Sequence, residues 1–305
     1  MRFLRHSFFF ASLAILASSC GSTPGTDGGT GDLKNVEIGF KFAVNGKPFS
    51  CIETYYGVGN NPDAGAQVYR GSYARYYVYD VRLVNSANEE VPVMLADDGV
   101  WQLPAEKVAE ISGENGGSCA SIIGNLKVTG TVPKGTYSGL KLIVGLPNHL
   151  NHLFADTQPS PLNQSDMFWS WTTGYRFLRI EGKNASAKMG LPGGLLHLGS
   201  GVCNANDSAD PTKGSTCTYA NTLDLSFDGF DPDVNKVVLD IGKLFQDTDL
   251  DTNRGGPAGC MSGLTDPECP AIFKKLGLPY GDGFQPDGGF TVVTPTVGQT
   301  IFTME

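Results

Sequence analysis

Residues 36–44 alternate, with Val36, Ile38, Phe40, Phe42 and Val44 as the apolar members, and run directly into Asn45-Gly46. Alternation with period two predicts a strand with one buried face, and Asn-Gly is a strong signal for a tight hairpin turn. Residues 76–84 alternate as well, placing Tyr77, Tyr79, Val81 and Leu83 on one face. Further strands are predicted at 91–95, 126–132, 140–146, 175–181, 222–227, 236–241 and 290–294, most of them separated by Gly, Pro, Asn or Asp. Helical patterning is scarce: one or two turns at 104–111 and another short helix at 269–276. Many short strands divided by turns predict a mainly β fold, an antiparallel sandwich or barrel-like single domain with long loops and a few short helices. No period suggesting a solenoid or propeller is present, and no segment within 33–305 is polar enough to divide it.

Composition sharpens this picture. The 305 residues include 40 Gly and 18 Pro, which suits a turn-rich β fold, and 40% are hydrophobic, enough for a real core. Residues 1–19 hold two arginines and no acid; without them 20 bases face 31 acids, a formal charge of −11. Such a chain repels phosphate backbones, so nucleic acid is not an expected partner, whereas cations are.

The N-terminus reads as an export signal. Arg2 and Arg5 precede an apolar run from Phe8 to Ala17, too short and wrongly flanked for a membrane span. Leu16-Ala17-Ser18-Ser19-Cys20 resembles a bacterial lipobox, which makes Cys20 the expected lipidation site after removal of 1–19. Residues 20–32 then form a polar, glycine-rich tether to a domain at 33–305. The expected location is the periplasm or the cell surface, with a lipid anchor in the membrane.

Export sets the cysteine chemistry. Cys51, Cys119, Cys203, Cys217, Cys260 and Cys269 remain, an even number in an oxidising compartment, and three disulfides are expected. Closeness along the chain favours Cys203–Cys217 and Cys260–Cys269, leaving Cys51 with Cys119, although six cysteines allow other pairings. No CxxC pair exists, so zinc ribbons and thioredoxin-like sites are excluded. With every thiol in a bridge, a metal must use His, Met, carboxylate or a less ordinary donor.

The mature chain has three histidines, His149, His152 and His197, and all of them, with Trp169 and Trp171, fall within 49 positions. In so His-poor a chain the clustering points to a metal, since neutral imidazole suits copper, zinc, iron and nickel. Trp169 and Trp171, two apart, point to opposite faces of a strand, so one belongs to the core and the other is available for a ligand or a reaction.

At these residues the sequence resembles the MbnP-like proteins, also called metallo-mystery-pair four-Cys-motif proteins, related to the copper-repressible surface protein CorA and to MopE. The resemblance rests on Phe49-Ser50-Cys51, Tyr55-Tyr56-Gly57-Val58-Gly59, residues 76–83, Val100-Trp101-Gln102, Gly145-Leu146-Pro147, Asn151-His152 and Ser160-Pro161-Leu162-Asn163. It continues through Met167-Phe168-Trp169-Ser170-Trp171, Gly174-Tyr175, His197-Leu198-Gly199-Ser200, Phe230-Asp231-Pro232, residues 259–263, residues 266–269 and Leu276-Gly277-Leu278. The resemblance implies a copper-binding protein, not an enzyme, working outside the cytoplasm in copper homeostasis. It further implies that Trp169 is oxidised to kynurenine by a partner, a MauG-like di-haem relative of cytochrome c peroxidases. The new aromatic amine then holds Cu(I) with His152 and His197. His149 and Met167 are candidates for a further donor or an outer contact, and Trp171 and Tyr175 for relaying electrons to the partner. Two imidazoles and a neutral amine form an uncharged set that favours Cu(I) over Cu(II).

A second cation signal lies at Asp247, Asp249 and Asp251, whose spacing resembles the start of a calcium loop. Thr252 and Ala258 stand where such a loop needs its turn glycine and its bidentate glutamate. The alternative function is a surface adhesion or carbohydrate-binding sandwich, with Trp169 and Trp171 as stacking platforms and calcium at these aspartates. GxSxG, HExxH and Walker A motifs are absent, so nothing selects a hydrolase or a nucleotide enzyme.

Overall fold

The computed structural model describes residues 32–61, 65–113, 124–184, 193–206, 210, 213–284 and 290–305. The chain divides into units Met1–Asp32 and Leu33–Glu305, and the second holds all the described strands and helices. The export signal, Cys20, nearly all of the tether and Cys119 lie outside the described residues.

Strand Leu33–Val44 forms as its alternation dictates, with Val36, Ile38, Phe40, Phe42 and Val44 buried. It turns at Asn45 and Gly46, both left-handed with φ of 51° and 75°, and Lys47 pairs back with Val44. Only a turn with two positive-φ residues matches the strand twist this closely, hence Asn-Gly. The strand pairs antiparallel with Lys127–Pro133 and parallel with Lys236–Asp240, which in turn pairs with Phe302–Met304. With Lys47–Pro48 and Met94–Leu95 this makes a six-stranded mixed sheet. The parallel pair departs from the all-antiparallel expectation, and a long connection between its two strands makes it feasible.

The second sheet has nine strands and is antiparallel, built around the 21-residue strand Gly65–Asn85. Both sheets are open, not a closed barrel. The central strand departs from simple alternation: Asp80 has φ of 52°, and the register against Tyr137–Val144 shifts there. Such an irregularity re-aims side chains. Tyr76 and Tyr77 are both completely buried, so both faces of this strand are covered. Tyr76 meets Phe42, Phe302 and Phe40 of the first sheet at ring separations of 5.5, 5.6 and 6.4 Å. Tyr77 faces the other way, toward Tyr175 at 6.1 Å, and donates to the Pro161 carbonyl at 3.0 Å. One face builds the sandwich; the other supports the mostly irregular segment 145–177.

The helix expected across 104–111 is not formed. Pro104–Glu106 makes a single 3-10 turn, and Val108–Ser112 is a strand paired with the central one. All five residues of that strand are buried, and burial on both faces removes the polar stripe that a surface helix needs. The short helix Cys269–Leu276 is present and ends at Gly277, left-handed at φ 68°.

Two polar anchors hold the core. Asp240 precedes helix Ile241–Phe245; its Oδ1 accepts from Gly242 and Asn45 N–H at 2.9 Å and from Lys243 N–H at 3.2 Å, and its Oδ2 from Gly46 N–H at 3.0 Å. Glu110, fully buried, lies 3.0 Å from Arg75 Nε. Burial pushes the Glu110 carboxyl up to about 7 against the opposing pull of Arg75.

Asp240→Ala removes an acceptor shared by four N–H groups and should cost about 2–4 kcal/mol in urea unfolding. Glu110 binds its proton more tightly folded than unfolded, so its contribution is full below about pH 4.5 and lost as pH rises through about 7. Between about pH 5 and about pH 8 the native protein should therefore lose on the order of 2–3 kcal/mol more stability than Glu110→Gln. Parallel pH profiles would count against this reading.

Candidate metal centre

Strands Leu178–Asn184 and Leu195–Leu198 pair antiparallel and place Arg179 directly opposite His197. Arg179 and Glu181 are two apart and share a face, so Glu181 reaches both. Glu181 Oε1 accepts from Arg179 Nε at 2.6 Å and lies 2.6 Å from His197 Nε2. Burial would raise the Glu181 carboxyl, but the hydrogen bonds from His197 and Arg179 outweigh it and hold it down at about 2. An ionised carboxylate only accepts, so His197 Nε2 carries the proton and Nδ1 keeps its lone pair. Burial lowers the His197 pKa, partly opposed by the Glu181 hydrogen bond, and favours the neutral ring.

His152 follows the one-turn helix Asn148–Asn151 and is buried. Its Nδ1 lies 2.9 Å from the Trp171 carbonyl, which can only accept, so here Nδ1 carries the proton and Nε2 keeps its lone pair. Burial lowers its pKa, with the Trp171 hydrogen bond acting against it. Nε2 accepts from Asn151 Nδ2 at 3.3 Å and lies 3.3 Å from Cys217 Sγ. Asn151 ties this corner to the other histidine's strand: its Nδ2 donates to Ser200 Oγ at 3.1 Å, and its Oδ1 accepts from Tyr175 N–H at 3.0 Å.

Trp169 lies on the short strand Phe168–Ser170, paired with Gly174–Tyr175. Its ring is half-buried, 6.3 Å from the His197 ring and tilted by 51°. The Arg176 guanidinium lies over it at 5.8 Å. A Cβ at Gly199 would come within 2.5 Å of both Trp169 Cζ3 and the Tyr175 carbonyl, so the indole sits where only glycine leaves room. Ser262 holds this segment by accepting from Gly199 N–H at 2.9 Å and donating to the His197 carbonyl at 2.8 Å. Asp166, just before the strand, accepts from Tyr73 Oη at 2.7 Å, and its carbonyl accepts from Arg179 Nη1 at 2.6 Å. The Trp169 strand is thus anchored to the nine-stranded sheet.

The remaining candidates are placed differently. His149 is exposed, at 67% for its side chain, and lies 2.9 Å from Glu106 Oε2, apart from the other two histidines. Met167 is wholly buried in the core. Tyr175 is also buried, 4.9 Å from the Phe168 ring, and donates to the Leu162 carbonyl at 2.7 Å. Trp171 is half-buried, and its carbonyl accepts from Ser215 Oγ at 3.2 Å in addition to His152. Asp247 pairs with Lys275 at 2.8 Å, while Asp249 and Asp251 accept from Gln67 Nε2 at 3.0 and 2.6 Å. These carboxylates therefore have protein partners.

Cys203–Cys217 and Cys260–Cys269 are bridged as expected, and Cys51 is disulfide-bonded too. His152, Cys203 and Cys217 bring donor atoms within 4.8 Å of one another. Bridged sulfurs are not thiolates, so in this state the group is an imidazole against a disulfide.

A family model described as MbnP matches residues 33–262. The chain belongs to the MbnP family. Among solved structures, MbnP from Methylosinus trichosporium matches with a TM-score of 0.74 and 29% identity, over 90% of this chain and 98% of that one. No curated protein matches significantly in sequence. All the residues of the centre, from His152 to Ser262, lie inside the MbnP match.

In this MbnP-family chain, sequence reasoning missed Glu181 and Arg179, and it named Asn151 and Gly199 in the family motifs without giving them a role. Arg179 and Glu181 carried a signal, two opposite charges at strand spacing on either side of Ile180. Gly199→Ala should destabilise the protein by about 1–3 kcal/mol, the usual range for overpacking, and should alter the near-ultraviolet dichroism of Trp169. An unchanged spectrum and stability would show that the indole does not fill this space.

Proposed function

We propose that this MbnP-family chain is an extracytoplasmic Cu(I)-binding lipoprotein of copper homeostasis, anchored through Cys20, in which Trp169 is first oxidised to kynurenine by a MauG-like di-haem partner. The observation that carries the reading is the setting of the indole: half-buried, backed by Gly199, and 6.3 Å from a histidine whose Nδ1 is left as the donor. His197 through Nδ1 and His152 through Nε2 would hold the ion with the amine derived from Trp169. The bound ion would supply a soft, low-coordinate centre suited to storage or transfer, and the protein acts as a binding partner and as a substrate of the haem enzyme, not as an enzyme itself.

The residues fit such an ion. Both imidazoles are buried and favour the neutral form, and the described cysteines 203, 217, 260 and 269 are bridged to one another in pairs. Neutral nitrogen donors without thiolate or anionic oxygen favour Cu(I). The carboxylate nearest the centre, Glu181, is occupied by Arg179 and His197 and serves to orient the imidazole, as carboxylates commonly do behind metal-bound histidines. The half-buried tryptophans and the partnered aspartates give the glycan-platform and calcium alternative no comparable geometry.

The test is intact-mass and peptide analysis of protein produced with and without the di-haem partner, alongside copper content. Kynurenine should appear at position 169 only with the partner, and tight Cu(I) retention should follow it. His152→Ala and His197→Ala should each abolish tight retention, while His149→Ala should keep it. Copper-loaded native protein with an intact Trp169 would overturn the modification, and equal retention by all three histidine variants would overturn the ligand set.

A further inference from the structure

The disulfide Cys203–Cys217 stands at the unprotonated nitrogen of His152, which also accepts from Asn151 Nδ2 at 3.3 Å. Its two cysteines occupy directly opposed positions on strands Gly201–Ala205 and Ser215–Tyr219. These strands form a two-stranded ribbon with additional pairs at Gly201–Tyr219, Asn204–Thr216 and Ala205–Ser215. Because the ladder holds the two backbones together on both sides of the bridge, opening the S–S bond would leave both sulfurs facing His152.

The geometry around His152 is specific. Nε2 is the unprotonated nitrogen, since Nδ1 is committed to the Trp171 carbonyl. Nε2 reaches Cys217 Sγ at 3.3 Å, and all three donor atoms lie within 4.8 Å of one another. Among the described residues this is the only group of three His, Cys, Asp or Glu side chains so closely assembled. We propose that reduction of Cys203–Cys217 turns this corner into a second metal site, a two-thiolate, one-imidazole set for a soft monovalent ion, Cu(I). Two sulfurs and one nitrogen are the donors that select Cu(I) from harder cations.

The reaction balances with a reductant of the dithiol class. The dithiol gives up two electrons and two protons and becomes a cyclic disulfide. The Cys203–Cys217 bond takes them up and becomes two thiols. Cu(I) then displaces both thiol protons and binds two thiolates and His152 Nε2, without change in its own oxidation state. Access favours this bridge over Cys260–Cys269: Cys203 and Cys217 are half-buried, whereas Cys260 and Cys269 are 0% and 1% exposed.

This site does not require kynurenine, but it shares His152 with the kynurenine centre, so one histidine cannot serve both at once. Reduction would therefore draw copper from the aromatic centre toward the sulfurs, and reoxidation would return it.

The experiment uses the mature chain carrying Trp169→Phe, so that no kynurenine can form. The protein is reduced with dithiothreitol, freed of it by anaerobic gel filtration, and offered Cu(I) from a bathocuproine disulfonate complex. The expected result is that reduced protein takes a single Cu(I) ion from the chelator, with thiolate-to-copper absorption in the ultraviolet, and that oxidised protein takes none. Bound Cu(I) should protect Cys203 and Cys217 from iodoacetamide, as mapped by peptide mass, which tests the site without altering its cysteines. His152→Ala in the same background should weaken retention by at least about tenfold, the loss that removal of even an outer partner of a metal ligand can cause. Equal copper uptake by reduced and oxidised protein, protection at Cys260 and Cys269 instead, or unchanged retention in His152→Ala would each overturn the proposal. The kynurenine reading is untouched by either result, because position 169 is phenylalanine throughout.

Discussion

Tyr76 and Tyr77 are neighbours on one strand, and both are fully buried. Adjacent strand residues point to opposite faces, so the strand must be covered on both sides. Tyr76 joins the two sheets through Phe40, Phe42 and Phe302. Tyr77 carries the loop layer through Tyr175 and the Pro161 carbonyl. The candidate centre belongs to that second layer and is tied to the same strand by Tyr73, whose hydroxyl holds Asp166. A loop-built site acquires the precision of a sheet in this way, because its supports are core residues and not other loops.

Within the layer, two different acceptors set the chemistry of two similar side chains. A carboxylate behind His197 fixes the proton on Nε2, and a backbone carbonyl behind His152 fixes it on Nδ1. The two imidazoles therefore present different nitrogens as donors, a distinction fixed by their partners and not by the rings. The same logic applies to sulfur. Cys217 touches the unprotonated nitrogen of His152, yet as half of a disulfide it offers no anion, so the oxidation state of one bridge decides which donors this corner contains.

Much of the scaffold was legible from alternation. Residues 36–44, the Asn45-Gly46 turn and the strands near 127, 140, 223 and 236 follow the pattern closely. Alternation failed where strands are buried on both faces: in Val108–Ser112 the polar Glu110 and Ser112 are as buried as their apolar neighbours, and the first half of Gly65–Asn85 mixes Tyr, Arg and Gly without a period. The histidines and tryptophans of the centre were legible by their rarity and by the family resemblance. Their partners were not, because Glu181 reaches His197 through strand register, and Asn151 reaches Ser200 across 49 positions of chain. Long-range contacts of this kind leave no local spacing to read.

Charge around Trp169 bears on what can modify it. Arg176 lies over the indole at 5.8 Å, and Arg179 belongs to the same cluster, bound to Glu181. A single positive charge at that distance opposes removal of an electron from the ring by about 3 kcal/mol at an effective dielectric near ~20. Glu181 offsets part of this field, yet its charge is already shared by Arg179 and His197. The Arg176 charge taken alone makes the indole harder to oxidise, and the carboxylates of Glu181 and Asp166, both paired with Arg179, act against it. The anions around the candidate centre are matched by cations of the chain itself, Glu181 by Arg179 and His197 and Asp166 by Arg179 and Arg75, so the two imidazoles stand in surroundings whose charges are already paired.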